Sequence, residues 1–143
     1  FEGESIVDTT YYKDENGKRW LFLNKGYAKY RNSELHIYQI DSLKLTQIQE
    51  HKQNPVIIDS RIGRNAGPIF KYGDQILRPS QNNSNGSYGF GLNINELEKL
   101  TLTDYQERNL IAVQPDFKKS LTGVHHLSQG NKRFVIDGVF LYS

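Results

Sequence analysis

The feature of this sequence that most limits its possible folds is a strand-turn-strand pattern that occurs three times. In each copy, two runs rich in Tyr, Phe, Ile, Val and Thr flank a polar turn that contains glycine, which is typical of a β-hairpin. The hairpins are predicted over residues 5–12 and 19–24, 63–70 and 75–81, and 120–127 and 133–138. Their first strands close at Tyr12, Phe70 and Leu127, so the unit recurs after 58 and then 57 residues.

Further strands are predicted between the hairpins, at 35–40, 45–49, 88–94 and 105–113, which gives about four strands per unit. A four-stranded antiparallel unit repeated at this interval predicts the blades of a β-propeller. We therefore predict an all-β fold with blades over 1–53 and 54–119 and a closing hairpin over 120–143. The alternative is a single β-sandwich, and a short helical turn at 95–102 is compatible with both.

The length of the chain predicts that the propeller is incomplete. Its 143 residues hold roughly two and a half units, whereas closed propellers usually have about four to eight blades. The missing blades are expected from the same gene product or from another chain, and a hairpin at the chain end suits ring closure. A chain that begins with Phe1 and has no methionine is expected to be a processed or excised product.

Composition excludes several classes of function. With 18 basic and 16 acidic side chains, the chain lacks the concentrated basic surface of a nucleic-acid binder. No apolar run approaches the roughly 18 residues of a membrane span, and there is no cysteine. The sequence shows no phosphate-binding glycine loop or dinucleotide fingerprint, so we predict no cofactor and no metal site. The cellular location stays open, with a soluble cytoplasmic protein favoured.

Two acidic residues near the first inner strand are candidates for catalysis. Inner strands lead toward the central channel of a propeller. When the three predicted inner strands are aligned, Asp8 takes the position of Ala66 and Gly123 in the other two. Asp8 could act as a general base, accept a hydrogen bond from a sugar hydroxyl, or tie neighbouring strand starts together. Glu4 precedes the same strand together with Glu2, and paired carboxylates flanking a cleft are what glycoside hydrolysis requires. The alternative for this pair is two solvated acids near the chain end.

The candidate ligand-binding residues are polar or aromatic and lie near the inner hairpins: Arg64, Arg78, Gln81, Tyr88 and His125. Arg64 can present its planar donors to a carboxylate, a phosphate or sugar hydroxyls, or form an inter-blade salt bridge. Arg78 occupies an apolar register, so it requires either a buried ion pair or a ligand. Pro79 predicts that this segment leaves the sheet. His125 and His126 alternate in direction, so one can face the channel or pack between blades.

Several motifs together carry a resemblance to a known family: residues 4–10, 54–57, 64–70, 77–81, 88–89 and 123–125. They resemble the glycosidase-like five-bladed propeller of plant glucosamine inositolphosphorylceramide transferases, which also occurs in bacterial proteins. The resemblance implies that the chain forms the last two blades and a closing hairpin. Related arabinanase and xylosidase propellers use three axial carboxylates from the early blades, and Asp8 is the one residue that the resemblance carries over as axial.

These observations support three functional hypotheses. The first is a carbohydrate-recognising propeller segment of a larger sugar-processing, transferase-associated enzyme, with a carbohydrate or sugar conjugate as its partner. The second is a glycoside hydrolase whose acid and base lie partly outside this chain. The third is a non-catalytic assembly module.

Overall fold

The computed structural model describes residues 1–27 and 31–141, and these residues form an all-β structure of antiparallel sheets. One short 3-10 turn at Ser84–Gly86 interrupts the strands. The strands are β1 (Ile6–Lys13), β2 (Arg19–Lys25), β3 (Glu34–Ile40), β4 (Ile48–Glu50), β5 (Ile57–Ile58), β6 (Phe70–Tyr72), β7 (Gln75–Asn82), β8 (Gly91–Leu100), β9 (Tyr105–Val113), β10 (Leu121–Gly123), β11 (Leu127–Gly130), β12 (Arg133–Ile136) and β13 (Val139–Phe140). The all-β prediction is confirmed.

The first sheet is a four-stranded meander in the order β1-β2-β3-β4, with the short β5 added beside β3. The β1–β2 pairing shifts register between Val7 and Thr10, which marks a bulge. Within that bulge Asp8 has a φ of 49°, a left-handed conformation that Asp tolerates better than most residues. The bulge therefore turns the Asp8 side chain out of the regular alternation of the strand.

The second sheet has the order β6-β7-β8-β9 and repeats the arrangement of the first. Its inner strand is shorter than predicted, because only 70–72 form β6, while Asn65 makes an isolated bridge to Ser80. The predicted helical turn at 95–102 is wrong, since β8 continues to Leu100 and its backbone is paired with β9.

The prediction that Pro79 takes its segment out of the sheet is also wrong, because Pro79 lies inside β7 opposite Ile94 of β8. The Pro79 carbonyl accepts a hydrogen bond from the Ala66 amide on the other side, at 3.1 Å. In an antiparallel sheet, the main-chain N–H and C=O of one residue point toward the same neighbour. An N–H at position 79 would therefore point away from β8, so its absence removes no hydrogen bond to β8.

The last part of the chain forms two small antiparallel pairs, β10–β13 and β11–β12. The predicted strand over 120–127 is divided, since residues 124–126 belong to no strand. The β11–β12 hairpin packs on the second sheet through Leu127 and Ile136. The count of five blades and the predicted division at residues 53 and 119 stay predictions.

Two separate hydrophobic cores lie on opposite faces of the second sheet. The core shared with the first sheet contains Trp20, Phe22, Leu35, Ile37 and Ile69. The other core joins the second sheet to the final hairpin: Ala66, Leu77, Leu92, Ile94, Leu121, Val124 and Leu127. A single sandwich would have one core between two sheets, whereas this stack of antiparallel sheets is blade-like. Within the described ranges, no helix has the length and hydropathy needed to cross a bilayer.

Candidate functional site

A polar pocket of about 430 Å³ opens where the first sheet, the second sheet and the final hairpin meet. Four of the residues predicted from the sequence, Asp8, Gln81, Tyr88 and His125, line this pocket. The rest of its wall consists of small, polar and aromatic residues: Thr9, Thr10, Tyr11, Asn65, Gly67, Pro68 and His126. The structure therefore brings together side chains that are up to 118 positions apart in the sequence.

Asp8 is held in the pocket by contacts from the second sheet. Its carboxylate accepts a hydrogen bond from Arg64 Nε at 2.6 Å, and its main-chain carbonyl accepts one from Asn65 Nδ2 at 2.9 Å. The Asp8 side chain is 35% exposed, so one side of the carboxylate stays open to the pocket. Asp8 thus ties two sheets together and still presents an acceptor to a ligand.

Arg64 forms a salt bridge to the first sheet, which is one of the two roles predicted for this residue from the sequence. Besides Asp8, its guanidinium donates to Asn32 Oδ1 and lies over the ring of Tyr88, with 4.8 Å between Cζ and the ring centroid. Such stacking adds to the hydrogen bonds in holding the guanidinium plane. Arg64 therefore fixes both Asp8 and Tyr88 at the rim of the pocket.

Gln81 contributes a buried side chain with one unpartnered polar atom to the pocket wall. It is 3% exposed, and its Nε2 donates to the Asn65 carbonyl at 3.0 Å and to Asp8 Oδ2 at 3.4 Å. Its Oε1 is buried and has no partner among the described residues. Buried polar atoms nearly always have a hydrogen-bonding partner, so Oε1 requires a donor from outside them.

His125 is oriented by Asp137, a residue that the sequence reasoning missed. The His125 Nδ1 lies 2.5 Å from Asp137 Oδ2, and Asp137 Oδ1 accepts the amides of His125 and His126 at 2.8 and 2.9 Å. A neutral ring held in this way carries its proton on Nδ1 and offers Nε2 as an acceptor. The Asp137-Gly138 pair is a turn signal that could have drawn attention to this carboxylate.

Asn65 and Gly67 allow the sheets to approach each other closely at the pocket. Asn65 is 1% exposed. Its side-chain Nδ2 donates to the Phe22 carbonyl at 3.0 Å, and its main-chain N–H donates to Asn24 Oδ1 at 2.9 Å. Gly67 has a φ of 139°, and a Cβ there would lie 2.0 Å from the Leu127 carbonyl oxygen. Thr10 completes the junction by donating to the Gly67 carbonyl at 3.1 Å. Glycine at 67 is therefore a structural requirement of this junction.

Arg78 does not line the pocket, and the structure gives it the buried ion pair. Its side chain is fully buried, and its Nε and Nη2 each lie 2.7 Å from one carboxylate oxygen of Glu107. Nη2 also donates to the Ile62 carbonyl at 2.8 Å, and Nη1 donates to Asn65 Oδ1 at 3.1 Å. Burial opposes the charged form of Arg78, but the charge and hydrogen bonds of Glu107 together with the contacts of Tyr105 outweigh it and hold the pKa of Arg78 above its usual value.

Tyr105 completes the Arg78 ion pair from β9. Its hydroxyl donates to Glu107 Oε2 at 2.5 Å, and burial raises the pKa of Tyr105 well above its usual value. The charge at an apolar register thus indicated correctly that Arg78 needs a partner. Its partners Glu107 and Tyr105 carry no comparable signal in the sequence.

Glu4 lies in a different part of the structure from Asp8. It forms a salt bridge of 3.1 Å with Lys25 and lines a separate pocket of about 300 Å³ with Glu34 and His36. Asp8 and Glu4, the two residues predicted as catalytic, are therefore not brought together in one pocket. Within the described ranges, no three His, Asp or Glu side chains are grouped as a metal site requires.

Comparison with known proteins adds evidence of ancestry. Residues 3–139 match the family described as "Glucosamine inositolphosphorylceramide transferase 1, N-terminal". Two curated rice proteins, from the japonica and indica subspecies of Oryza sativa, are both named glucosamine inositolphosphorylceramide transferase 1. Each is 36% identical to this chain over 96 residues, which are 64% of this chain and 13% of the relative. The match thus spans about an eighth of those relatives, and no solved structure matches.

Proposed function

Since this chain belongs to the glucosamine inositolphosphorylceramide transferase 1 N-terminal family, we propose that it is the carbohydrate-recognising segment of a larger sugar-transferring enzyme. Its ligand site is the pocket that contains Asp8. The observation that carries the proposal is the Asp8 carboxylate, which Arg64 holds at the pocket at 2.6 Å while the Asp8 side chain stays 35% exposed. A sugar hydroxyl can donate a hydrogen bond to such an accessible acceptor.

The chemistry of the pocket wall supports a sugar as the ligand. The Asp8 carboxylate and the side chains of Gln81 and His125 line the pocket, and these groups can exchange hydrogen bonds with the hydroxyl groups of a sugar. Tyr11 and Tyr88 are 39% and 55% exposed, and such aromatic surfaces can pack against the apolar face of a sugar ring. The volume of about 430 Å³ lies within the range of small-molecule sites.

The remaining strands of the propeller are the second proposed partner. An apolar groove of about 330 Å³ lies beside the final hairpin, and its wall includes Leu92, Ile94, Ile111 and Phe134. In the described part of the chain, β12 pairs with β11 alone. The relatives are far longer than this chain, so we assign the groove to further strands of the same polypeptide. These strands would pair with β12 and cover the groove.

Chemical labelling of the intact protein tests this second partner. A cysteine at Phe134, which lines the groove and is 50% exposed here, should react with iodoacetamide at least tenfold more slowly than one at Lys18, an exposed position beside the first turn. Equal rates at the two positions would show that nothing covers this edge. Slow labelling that becomes fast on dilution would assign the cover to another chain instead.

A glycan-array screen of the intact protein tests sugar recognition. We expect binding by the wild type and a loss of roughly tenfold in affinity for Gln81→Ala, since Gln81 lines the pocket and donates to the Asp8 carboxylate, and one hydrogen bond is worth about 1 kcal/mol. Gln49→Ala, at an exposed position of β4, is the matched control and should bind as the wild type does. A folded protein that binds no glycan, or that binds equally well with Gln81→Ala, would exclude this pocket as a sugar site.

The hydrolase hypothesis has less support from the geometry. Asp8 is the one carboxylate that lines the pocket within the described ranges, while Glu4 pairs with Lys25 elsewhere. A hydrolase would need its second carboxylate from residues outside this chain. Activity of the intact protein on aryl glycosides, abolished by Asp8→Asn with folding retained, would favour that hypothesis over simple recognition.

A further inference from the structure

The charged side chains of the pocket that contains Asp8 are bound by other groups of the protein. The Asp8 carboxylate is bound by Arg64 at 2.6 Å, and the His125 Nδ1 lies 2.5 Å from Asp137. The second histidine of the wall, His126, is exposed, and no lysine or arginine is among the described residues that line the pocket. Among those residues, the pocket therefore has several hydrogen-bonding groups but no permanently charged cation that is free to pair with a ligand.

Arg64 cannot easily serve as a cation for an anionic ligand. Its Nε and Nη1 already donate to Asp8 and Asn32, and its plane is covered on one side by Tyr88. An anion that approached its remaining nitrogen would also approach the Asp8 carboxylate. Like charges brought together in a partly desolvated site repel each other, so this approach is disfavoured.

We propose that the pocket selects an uncharged sugar and discriminates against anionic ligands such as uronates, sugar phosphates and nucleoside diphosphate sugars. This inference rests on the proposed function, since it names the ligand class of the same site. It follows that the pocket takes a glycan rather than a sugar donor activated by a diphosphate. The Asp8–Arg64 ion pair is then the element that sets the selectivity.

Asp8→Asn is the substitution that should change this selectivity without unfolding the protein. Asparagine has nearly the same shape as aspartate, keeps an acceptor oxygen, and tolerates the left-handed backbone found at position 8. It removes the negative charge and leaves the Arg64 guanidinium unpaired. We expect a carboxylated sugar to gain affinity in this variant relative to its neutral counterpart.

The matched control is Asp74→Asn, which makes the same change of charge far from the pocket. Asp74 is exposed in the turn between β6 and β7, seven positions before Gln81 along an extended chain, or about 20 Å away. A general effect of net charge on anion binding would appear equally in both variants. An effect of the ion pair would appear in Asp8→Asn alone.

The experiment is calorimetric titration of the intact protein with neutral oligosaccharides that bind on the array and with their C6-oxidised uronate forms. Nucleoside diphosphate glucose serves as a third probe. We expect the wild type and Asp74→Asn to prefer the neutral form at least tenfold, and Asp8→Asn to reduce that preference at least tenfold. Wild-type binding of the uronate as tight as that of the neutral sugar would overturn this inference and leave sugar recognition standing. A preference unchanged in Asp8→Asn would overturn the role of the ion pair, and absence of binding to any probe would overturn both proposals.

Discussion

The interior of the second sheet and the rim of the pocket each contain an arginine–carboxylate pair, but the two pairs differ in burial. The side chains of Arg78 and Glu107 are 0% and 7% exposed, whereas those of Arg64 and Asp8 are 14% and 35% exposed. The inner pair is surrounded by hydrogen bonds from the protein, while the outer pair borders an open cavity. Burial thus separates a structural ion pair from one that a ligand can reach.

The energetics of the two pairs follow from this difference. A buried pair is costly to desolvate, and removal of one partner leaves an uncompensated charge inside the protein. A pair at the rim can be rehydrated, so its loss costs little stability. The inner pair should therefore affect folding when it is changed, and the outer pair should affect ligand binding.

Glu107→Ala should give the largest loss of stability. It leaves Arg78 charged and buried without its carboxylate, and we expect the free energy of unfolding to fall by about 3–5 kcal/mol. Chemical denaturation of the intact protein measures this loss. Glu98→Ala removes a carboxylate from the exposed pair with Arg108 and should cost less than about 1 kcal/mol. Similar losses for the two variants would contradict the structural role of the inner pair.

The double variant Arg78→Met with Glu107→Leu should recover most of that loss. Apolar side chains of similar volume replace both charges, so no unpaired charge stays buried, and we expect stability within about 2 kcal/mol of the wild type. The same denaturation measurement applies. A double variant no more stable than Glu107→Ala would show that the hydrogen bonds to Ile62 and Asn65, rather than the charge pairing, hold this region together.

Tyr105→Phe should have a smaller effect on the same site. It removes the hydroxyl that donates to Glu107 but keeps the ring, and we expect a loss of about 1 kcal/mol in the free energy of unfolding. Tyr72→Phe, at an exposed residue of β6, is the control and should leave stability unchanged. An unchanged stability for Tyr105→Phe would show that the hydroxyl contributes nothing to the ion pair.

Asp8→Asn should have the smallest effect on stability, below about 1 kcal/mol, because the outer pair is partly solvated. The same variant should change ligand selectivity as described above. This combination distinguishes the two pairs. Substitutions at the inner pair should mainly lower the free energy of unfolding, whereas Asp8→Asn should mainly change ligand selectivity. A destabilisation by Asp8→Asn as large as that of Glu107→Ala would erase the distinction between them.

The sequence predicted the elements that depend on local patterns. The hairpin spacing identified most strands, and the charge at an apolar register indicated that Arg78 needs a partner. It did not identify Glu107 as that partner, because the two residues are 29 positions apart and no local pattern joins them. Alignment of the strand starts placed Asp8 correctly beside the second sheet, but not in contact with Arg64.

Failures of sequence reasoning occurred where tertiary contacts override local preference. Pro79 predicts a break in the sheet, yet its nitrogen faces away from β8, so β7 and β8 stay paired at this position. The inner strand over 63–70 is interrupted after Asn65, where the Gly67 carbonyl accepts a hydrogen bond from Thr10 of the first sheet and the Ala66 carbonyl accepts the Leu127 amide of the final hairpin at 2.7 Å. Asp137 was missed because its role depends on a bond to His125 across the hairpin.

The most direct test of sugar recognition by this pocket is a crystal structure of the intact protein soaked with a neutral glycan that it binds. The account predicts a sugar ring in the cavity between the two sheets and the final hairpin, with one hydroxyl about 2.5–3.0 Å from a carboxylate oxygen of Asp8. A glycan bound at another surface, with this cavity unoccupied at saturating concentration, would contradict it.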